Sequence, residues 1–233
     1  MSSATKLLIT IDGPAGAGKT TVSRLLAARL GYRHIDTGAL YRAVALAARE
    51  RGIAPEDDEG LGHLVSSLAI AFSPAPAEGC ARITVDGRDV TEAIRTPEIS
   101  LLSSAVSARP VVRAGLLALQ RALGRGGGAV FEGRDMGTVV FPEAGLKFFL
   151  TATEEARARR RFAELGGAAA GLSFAEVLAD LRRRDRQDAE RAVAPLRAAE
   201  DAIRIDSTNW TLEEVVSAML GAARARIAAL RAE

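Results

Sequence analysis

Cysteine is almost absent from this 233-residue chain, with Cys80 the only one. No internal disulfide can form and a zinc site is disfavoured, which is compatible with a reducing, cytoplasmic setting. Lysine is nearly as scarce: Lys6, Lys19 and Lys147 are the whole set, so arginine supplies almost all the positive charge. With 31 basic and 29 acidic residues the formal net charge is only +2, which is not a polyanion-binding balance. Aromatics are 4% of the chain and do not interleave with a basic stripe, which argues against nucleic acid as a partner. No apolar run is long enough to cross a membrane, and Met1 to Lys6 carry no leader pattern. His34 and His63 stand isolated, with no carboxylate–histidine pattern for a metal or a triad. What is present, 48% hydrophobic and 26% charged residues, suits a globular α/β chain with a sizeable core.

The strongest local signal is Gly13-Pro14-Ala15-Gly16-Ala17-Gly18-Lys19-Thr20, which fits the phosphate-binding loop G-x-x-x-x-G-K-[ST]. The apolar run Leu7–Ile11 before it reads as a buried parallel strand. After it, Val22, Leu25 and Leu26 recur at helical spacing, and Gly31 is a natural stop. Strand, glycine loop and helix are the context in which backbone N–H groups can surround a polyphosphate. In that context Lys19 reaches the β- and γ-phosphates and the Thr20 hydroxyl faces Mg²⁺.

The alternation continues. A short strand at His34-Ile35 ends at Asp36-Thr37, either of which can cap a helix running to Arg51. Residues 55–95 interrupt it with an acidic run, the turn-rich connector 74–79, and an Asp86-Gly87 hairpin signal, read together as a small antiparallel insertion. Helical periodicity returns from Val106 to Leu123, with Pro110 near a helix start. Further strands are predicted at 129–132, 146–150 and 202–206, with a last helix from Leu212. The fold class is therefore α/β: a P-loop core with a five-stranded parallel sheet flanked by helices, plus an antiparallel insertion.

Arginine is suited to clamping phosphates because its planar fork donates two parallel hydrogen bonds. From Ser173 to Pro195 a capping box opens a helix with an apolar stripe at Phe174, Val177, Leu178 and Leu181. If that helix continues straight, Arg184, Asp188 and Arg191 share one inward-leaning face, as a lid over an anion requires. Arg157, Arg160 and Arg161 share another face, from which they could reach a triphosphate, with a solvated surface helix an equal alternative. Arg134 and Asp135 lie just past a strand, the edge where open α/β sheets gather ligands.

These strings together resemble bacterial cytidylate kinases, within the nucleoside monophosphate kinases. They are Ile9–Lys19, Asp36–Arg42, Ile94–Ser100, Gly133–Pro142, Arg191–Leu196 and Asp206–Thr208. The resemblance implies transfer of phosphate from Mg·ATP to CMP or dCMP. It implies a core (1–36, 124–156 and 197–233), an enlarged nucleotide-monophosphate domain (about 37–123) and a helical lid (about 157–196). Carried over by position, Ser104, Arg113 and Asp135 recognise cytosine, while Arg184 and Asp188 contact the sugar. Thr37, Arg42, Arg134 and Arg191 hold the acceptor phosphate, with Tyr41 packed nearby. Lys19, Arg134, Arg184 and Arg191 are the expected catalytic set. Gly13 to Thr21 with Arg157 and Arg161 are the expected ATP contacts, and Thr20 is the expected metal ligand. Two departures stand out: Glu132 replaces the family's common Asp, and Thr20-Thr21 replaces its common Gly-Thr, so that Thr20 supplies the hydroxyl in the standard motif position while Thr21 is an alternative for sharing or taking that role. The alternatives are a kinase for UMP, AMP or shikimate on the same core, and a GTPase-like switch. The switch would need an Asn-Lys-x-Asp string that is absent. Small-molecule nucleotides are the expected partners of an expected monomer.

Overall fold

The computed structural model describes residues 6–73 and 81–232; the connector predicted at 74–79 and Cys80 lie outside the described residues. The described chain forms two compact units, one comprising residues through His34 and from Gly126 onward, the other Ile35–Arg125.

The first unit is organised on a parallel sheet. Strand β1 (Leu8–Asp12) has β6 (Ala129–Gly133) on one side and β7 (Leu146–Thr151) on the other, and β8 (Ile203–Asp206) follows β7. With β2 (Arg33–Asp36) beside β6, the order is β2-β6-β1-β7-β8. The loop after β1 thus leaves the centre of the sheet, with β6 and β7 ending beside it. Ile9 and Ile11 are fully buried, as a central strand covered on both faces requires.

Helix α1 (Lys19–Leu30) buries Val22, Leu26 and Ala27. It ends at Gly31 in the left-handed conformation, where the Gly31 and Tyr32 N–H groups close on Ala28 O and Ala27 O, a Schellman stop. The terminal helix, here α8 (Leu212–Ala232), adds Val215, Val216 and Met219 to the same core. Helices α6 (Glu154–Glu164) and α7 (Phe174–Glu190) have their own apolar seam of Ala158, Val177 and Leu181, with Phe162 edge-on to Phe174 at 6.0 Å.

The second unit has its own core, around α2 (Thr37–Glu50), which buries nearly every residue from Ala39 to Ala48. Asp36 caps α2 by accepting from the Ala39 N–H. The antiparallel insertion is present and is larger than the hairpin predicted. Strands β3 (Ile70–Ser73), β4 (Arg82–Val85) and β5 (Arg88–Asp89) form one small sheet, preceded by α3 (Asp58–Ser67). The acidic run opens α3, with Asp57 as its N-cap. Asp86 and Gly87 both take positive φ, 50° and 81°, as a tight two-residue hairpin turn demands.

The helix expected within 106–123, with Pro110 near its start, is α5 (Pro110–Gly124), and a separate α4 (Pro97–Ser107) precedes it. Each starts on a proline, which fits the first helical position but cannot donate in a helix interior. The break between them bends by 98°; among the described residues no single helix is long and apolar enough to cross a membrane.

Candidate active site

The phosphate loop is shaped by what a side chain would strike. A Cβ on Gly13, at φ 153°, would be driven into the Leu150 carbonyl of β7. On Gly16, at φ 70°, it would press on Arg157 at 3.1–3.2 Å. Gly18, also left-handed, is the N-cap of α1 and turns the chain so that Lys19 is its first residue. The helix N-terminus and the loop amides then share one anion-facing end.

Lys19 is 7% exposed and its Nζ donates to Pro14 O at 2.7 Å. Burial pushes its ammonium pKa down to about 7, with the Arg134 charge adding to the effect and Glu132, Asp188 and Asp12 opposing it. A cation desolvated in this way against a main-chain carbonyl is suited to receive an anion.

At the end of β6, Glu132 is buried and accepts from the Thr20 hydroxyl at 2.9 Å through Oε2 and from His34 Nε2 at 2.9 Å through Oε1. His34 also lies 3.0 Å from Ser23 Oγ, which donates to Thr20 O. His34 is therefore not isolated, contrary to expectation. Its carboxylate partner lies 98 residues away in sequence and reaches it because β2 lies beside β6.

Asp12, at the end of β1, is 4% exposed and accepts from the N–H groups of Met136 (2.9 Å) and Gly137 (2.8 Å). Burial raises its pKa to about 6 against the pull of those two hydrogen bonds. The amides it grips open a π-helical turn, Met136–Val140, immediately after Arg134 and Asp135. Gly137 has little room for a side chain there: a Cβ would sit 3.0 Å from Thr10 Oγ1 and 3.2 Å from Lys147 Cδ. Asp12 escaped the sequence reading as a functional residue, although its place directly before Gly13 was a signal.

Arg134 donates from Nε to Asp188 Oδ2 at 2.7 Å and from Nη1 to Gly133 O at 3.3 Å. Burial works against its charge, but Asp188, Glu132 and Asp185 together outweigh it and keep the guanidinium pKa above its usual value. Asp188 in turn is held below the usual carboxylate range: desolvation opposes this, and Arg134 and Arg191 overcome it.

The face predicted for Arg184, Asp188 and Arg191 needs a correction. Helix α7 stops at Glu190, and Arg191 is its C-cap in an extended conformation, because the chain turns back so that Leu196 N–H reaches Asp188 O at 2.8 Å. Ala194 sits at φ 55° in that turn. Arg191 still meets Asp188, at 3.6 Å from Nη2 to Oδ1, through the turn rather than along a straight helix. Arg184 lies 2.9 Å from Asp180, and burial lowers its pKa.

Arg157, 4% exposed, is bound into the scaffold. Its Nη1 donates to Ala15 O in the loop at 2.9 Å and to Asp185 of α7 at 2.6 Å, and its Nε to Ala152 O at 3.0 Å. Asp185 was missed, because nothing in the sequence distinguishes it from neighbouring charges on α7. Arg160 bonds Ser207, and Arg161 pairs with Glu164 at 3.2 Å.

In the second unit, Thr37 and Tyr41 are both buried. The buried Arg113 lies with Cζ 5.4 Å from the Tyr41 ring centre and donates to Ser107 O. That places a guanidinium over an aromatic face. Arg42 pairs with the capping Asp36 at 2.7 Å. Ser104 is half-buried on α4.

A protein-family model described as Cytidylate kinase matches residues 9–225. The chain is 55% identical over 220 residues to Cytidylate kinase from Geobacter sulfurreducens, covering 94% of each chain. It is 51% identical over 222 residues to Cytidylate kinase from Geobacter sp. strain M21, covering 95% of this chain and 94% of that one. Among solved structures, an uncharacterized protein from Eubacterium ventriosum is similar in fold, with a TM-score of 0.51 at 10% identity, covering 94% of this chain and 99% of that one.

Proposed function

We propose that this chain, which belongs to the cytidylate kinase family, transfers the γ-phosphoryl group of ATP to the phosphate of CMP, and of dCMP as well. The observation that carries the reading is Lys19. Its buried ammonium, lowered to about 7, donates to a carbonyl of the loop itself at the N-terminus of α1. A triphosphate on the loop amides would supply the negative charge this cation needs.

Phosphoryl transfer in line between two phosphates requires no strong base, since the acceptor is already an anion. Catalysis is then positioning and charge neutralisation. Lys19 serves the β- and γ-phosphates. Arg134, Arg184 and Arg191 neutralise charge as it moves to the acceptor, and the Arg134–Asp188 pair fixes the first of these guanidinium planes. Thr37 and Arg42 hold the acceptor phosphate, and Tyr41 packs nearby. Ser104, Arg113 and Asp135 read cytosine. Arg184 and Asp188 serve the sugar. Arg157 acts on ATP through the loop carbonyl it holds, with Arg161 further out on α6. Residues 157–196 serve as the lid that excludes water and suppresses ATP hydrolysis, with 37–123 as the nucleotide-monophosphate domain and the remainder as the core.

The residues at the loop suit Mg²⁺. The Thr20 hydroxyl and the Glu132 carboxylate are hard oxygen donors, and no group of three or more His, Cys, Asp or Glu among the described residues forms a self-sufficient metal cage. That donor set matches a cation completed by phosphate oxygens and water. Thr20 would hold it directly, and when bound it would neutralise charge on the transferring phosphates.

The test is release of ADP, followed with CMP, dCMP, UMP, AMP and shikimate as acceptors. CMP and dCMP are expected to be the preferred pair. Turnover of AMP with none of CMP would overturn the reading.

A further inference from the structure

The geometry points to His34 as a positioning residue for the cation-binding hydroxyl of Thr20, acting through Glu132. Four polar side chains and one backbone carbonyl in the first unit close on one another: Thr20 Oγ1 to Glu132 Oε2 (2.9 Å), Glu132 Oε1 to His34 Nε2 (2.9 Å), His34 Nε2 to Ser23 Oγ (3.0 Å), and Ser23 Oγ to Thr20 O (3.2 Å).

Hydrogen-bond bookkeeping leaves one consistent assignment of protons. A carboxylate only accepts, so Thr20 Oγ1 and His34 Nε2 must each donate to Glu132. Ser23 has one hydroxyl hydrogen, directed to Thr20 O, so its oxygen receives the shared Nε2–H. The histidine is therefore protonated at Nε2.

The consequence lies at Thr20. Its single hydroxyl hydrogen is spent on Glu132, so the oxygen lone pairs face away from the carboxylate. Those are the electrons a divalent cation needs, and a hydroxyl free to rotate would present them only part of the time. Glu132 has rotatable bonds of its own and holds this orientation only if its other oxygen is anchored. His34 is that anchor. Its side chain is 12% exposed, that of Glu132 4%, and Ser23 is fully buried, so water does not readily substitute. Partners one step out from a metal ligand commonly affect metal affinity by about 10–100-fold. His34 is supplied by β2 and Glu132 by the neighbouring β6, so the device belongs to the strand order rather than to the loop motif.

This inference rests on the reading of Thr20 as the metal ligand, and binding without turnover separates the two. The affinity of a non-hydrolysable ATP analogue is measured by titration calorimetry, with Mg²⁺ and with EDTA, for the wild type, His34→Leu, His34→Asn and His34→Gln. The expected result for Leu is a loss of about tenfold in affinity for the Mg²⁺ complex, with metal-free binding unchanged. Gln keeps an N–H at similar reach and recovers to within about twofold of wild type. Asn, whose amide stops short of Glu132, behaves like Leu and serves if the Leu variant does not fold. Equal Mg²⁺ affinity in wild type, Leu and Asn would overturn the role of His34, as would a parallel loss with and without metal. A wild type whose nucleotide affinity ignores Mg²⁺ overturns the metal reading at Thr20 itself.

Discussion

Arg134 and Asp188 face each other, Nε to Oδ2, at 2.7 Å, joining the residue after β6 to the last turn of α7. One guanidinium from the sheet edge and one carboxylate from α7 thereby fix each other's planes. Asp188 also sits 3.6 Å from Arg191, so a single carboxylate organises two of the expected catalytic arginines.

Replacing Asp188 with Ala leaves Arg134 without that partner. Expected is a fall in kcat/KM of about 100-fold or more. The expected loss of stability is about 1–3 kcal/mol, less than a fully buried pair because Arg134 keeps 29% exposure. The carboxyl pKa is depressed in the fold, so this stabilisation is present above about pH 4 and fades as pH falls through the folded value. Thermal melts of wild type and variant between pH 3 and 7 check it; a gap independent of pH would contradict the assignment.

Lys19→Met tests function against stability. Activity should drop by orders of magnitude, yet the nucleotide-free protein should melt higher than wild type near pH 6. The lysine pKa is lowered from 10.5 to about 7, so between those values the unfolded chain binds the extra proton and wild-type stability rises with pH. The melting-temperature gap between the two proteins should therefore narrow from pH 7 to pH 10. Near-normal turnover by the Met variant would sink the kinase reading.

Asp12 makes the opposite prediction on the acid side. Its pKa is raised from 3.8 to about 6, so the folded state holds the proton longer, and this group's contribution falls as pH rises across that window. In Asp12→Asn the slope should vanish, which paired melts from pH 4 to 6.5 would reveal. The Asn amide also sets an N–H against one of the Met136 and Gly137 donors. KM for CMP should therefore rise more than KM for ATP, since those donors open the turn after Arg134 and Asp135.

Arg157→Lys exchanges a three-way fork for a point charge. The Ala15 carbonyl, the Ala152 carbonyl and Asp185 cannot all be served by one ammonium in that geometry. KM for ATP should rise several-fold with a smaller change for CMP, because the phosphate loop loses the donor that holds Ala15 O. Initial rates with each substrate varied in turn decide it, and equal effects on both would argue for a general loss of packing.

How much of this was legible in the residue order depends on the distance over which each feature is specified. The loop from Gly13 to Thr20, the Gly31 stop, the Asp36 cap and the Asp86-Gly87 hairpin are local: steric limits on φ and short-range hydrogen bonds determine them within a few residues. Five apolar runs separated by helical patterns likewise determined a parallel sheet.

Strand order, however, depends on which buried faces pair. It brings His34 to Glu132 and Thr20, and it closes the Asp12 grip on the turn at 136–140. The end of α7 was misread because periodicity cannot see a chain reversal held by Leu196 on Asp188. For Arg157 the residue order leaves a ligand contact and a surface helix equally open, because charge in a sequence does not say whether a carbonyl and a carboxylate have already claimed it. The sequence by itself determined the chemistry available, a phosphate loop with one lysine and many arginines. Only the tertiary structure decided which of those charges are paired and buried, because desolvation and partner geometry arise once distant segments meet.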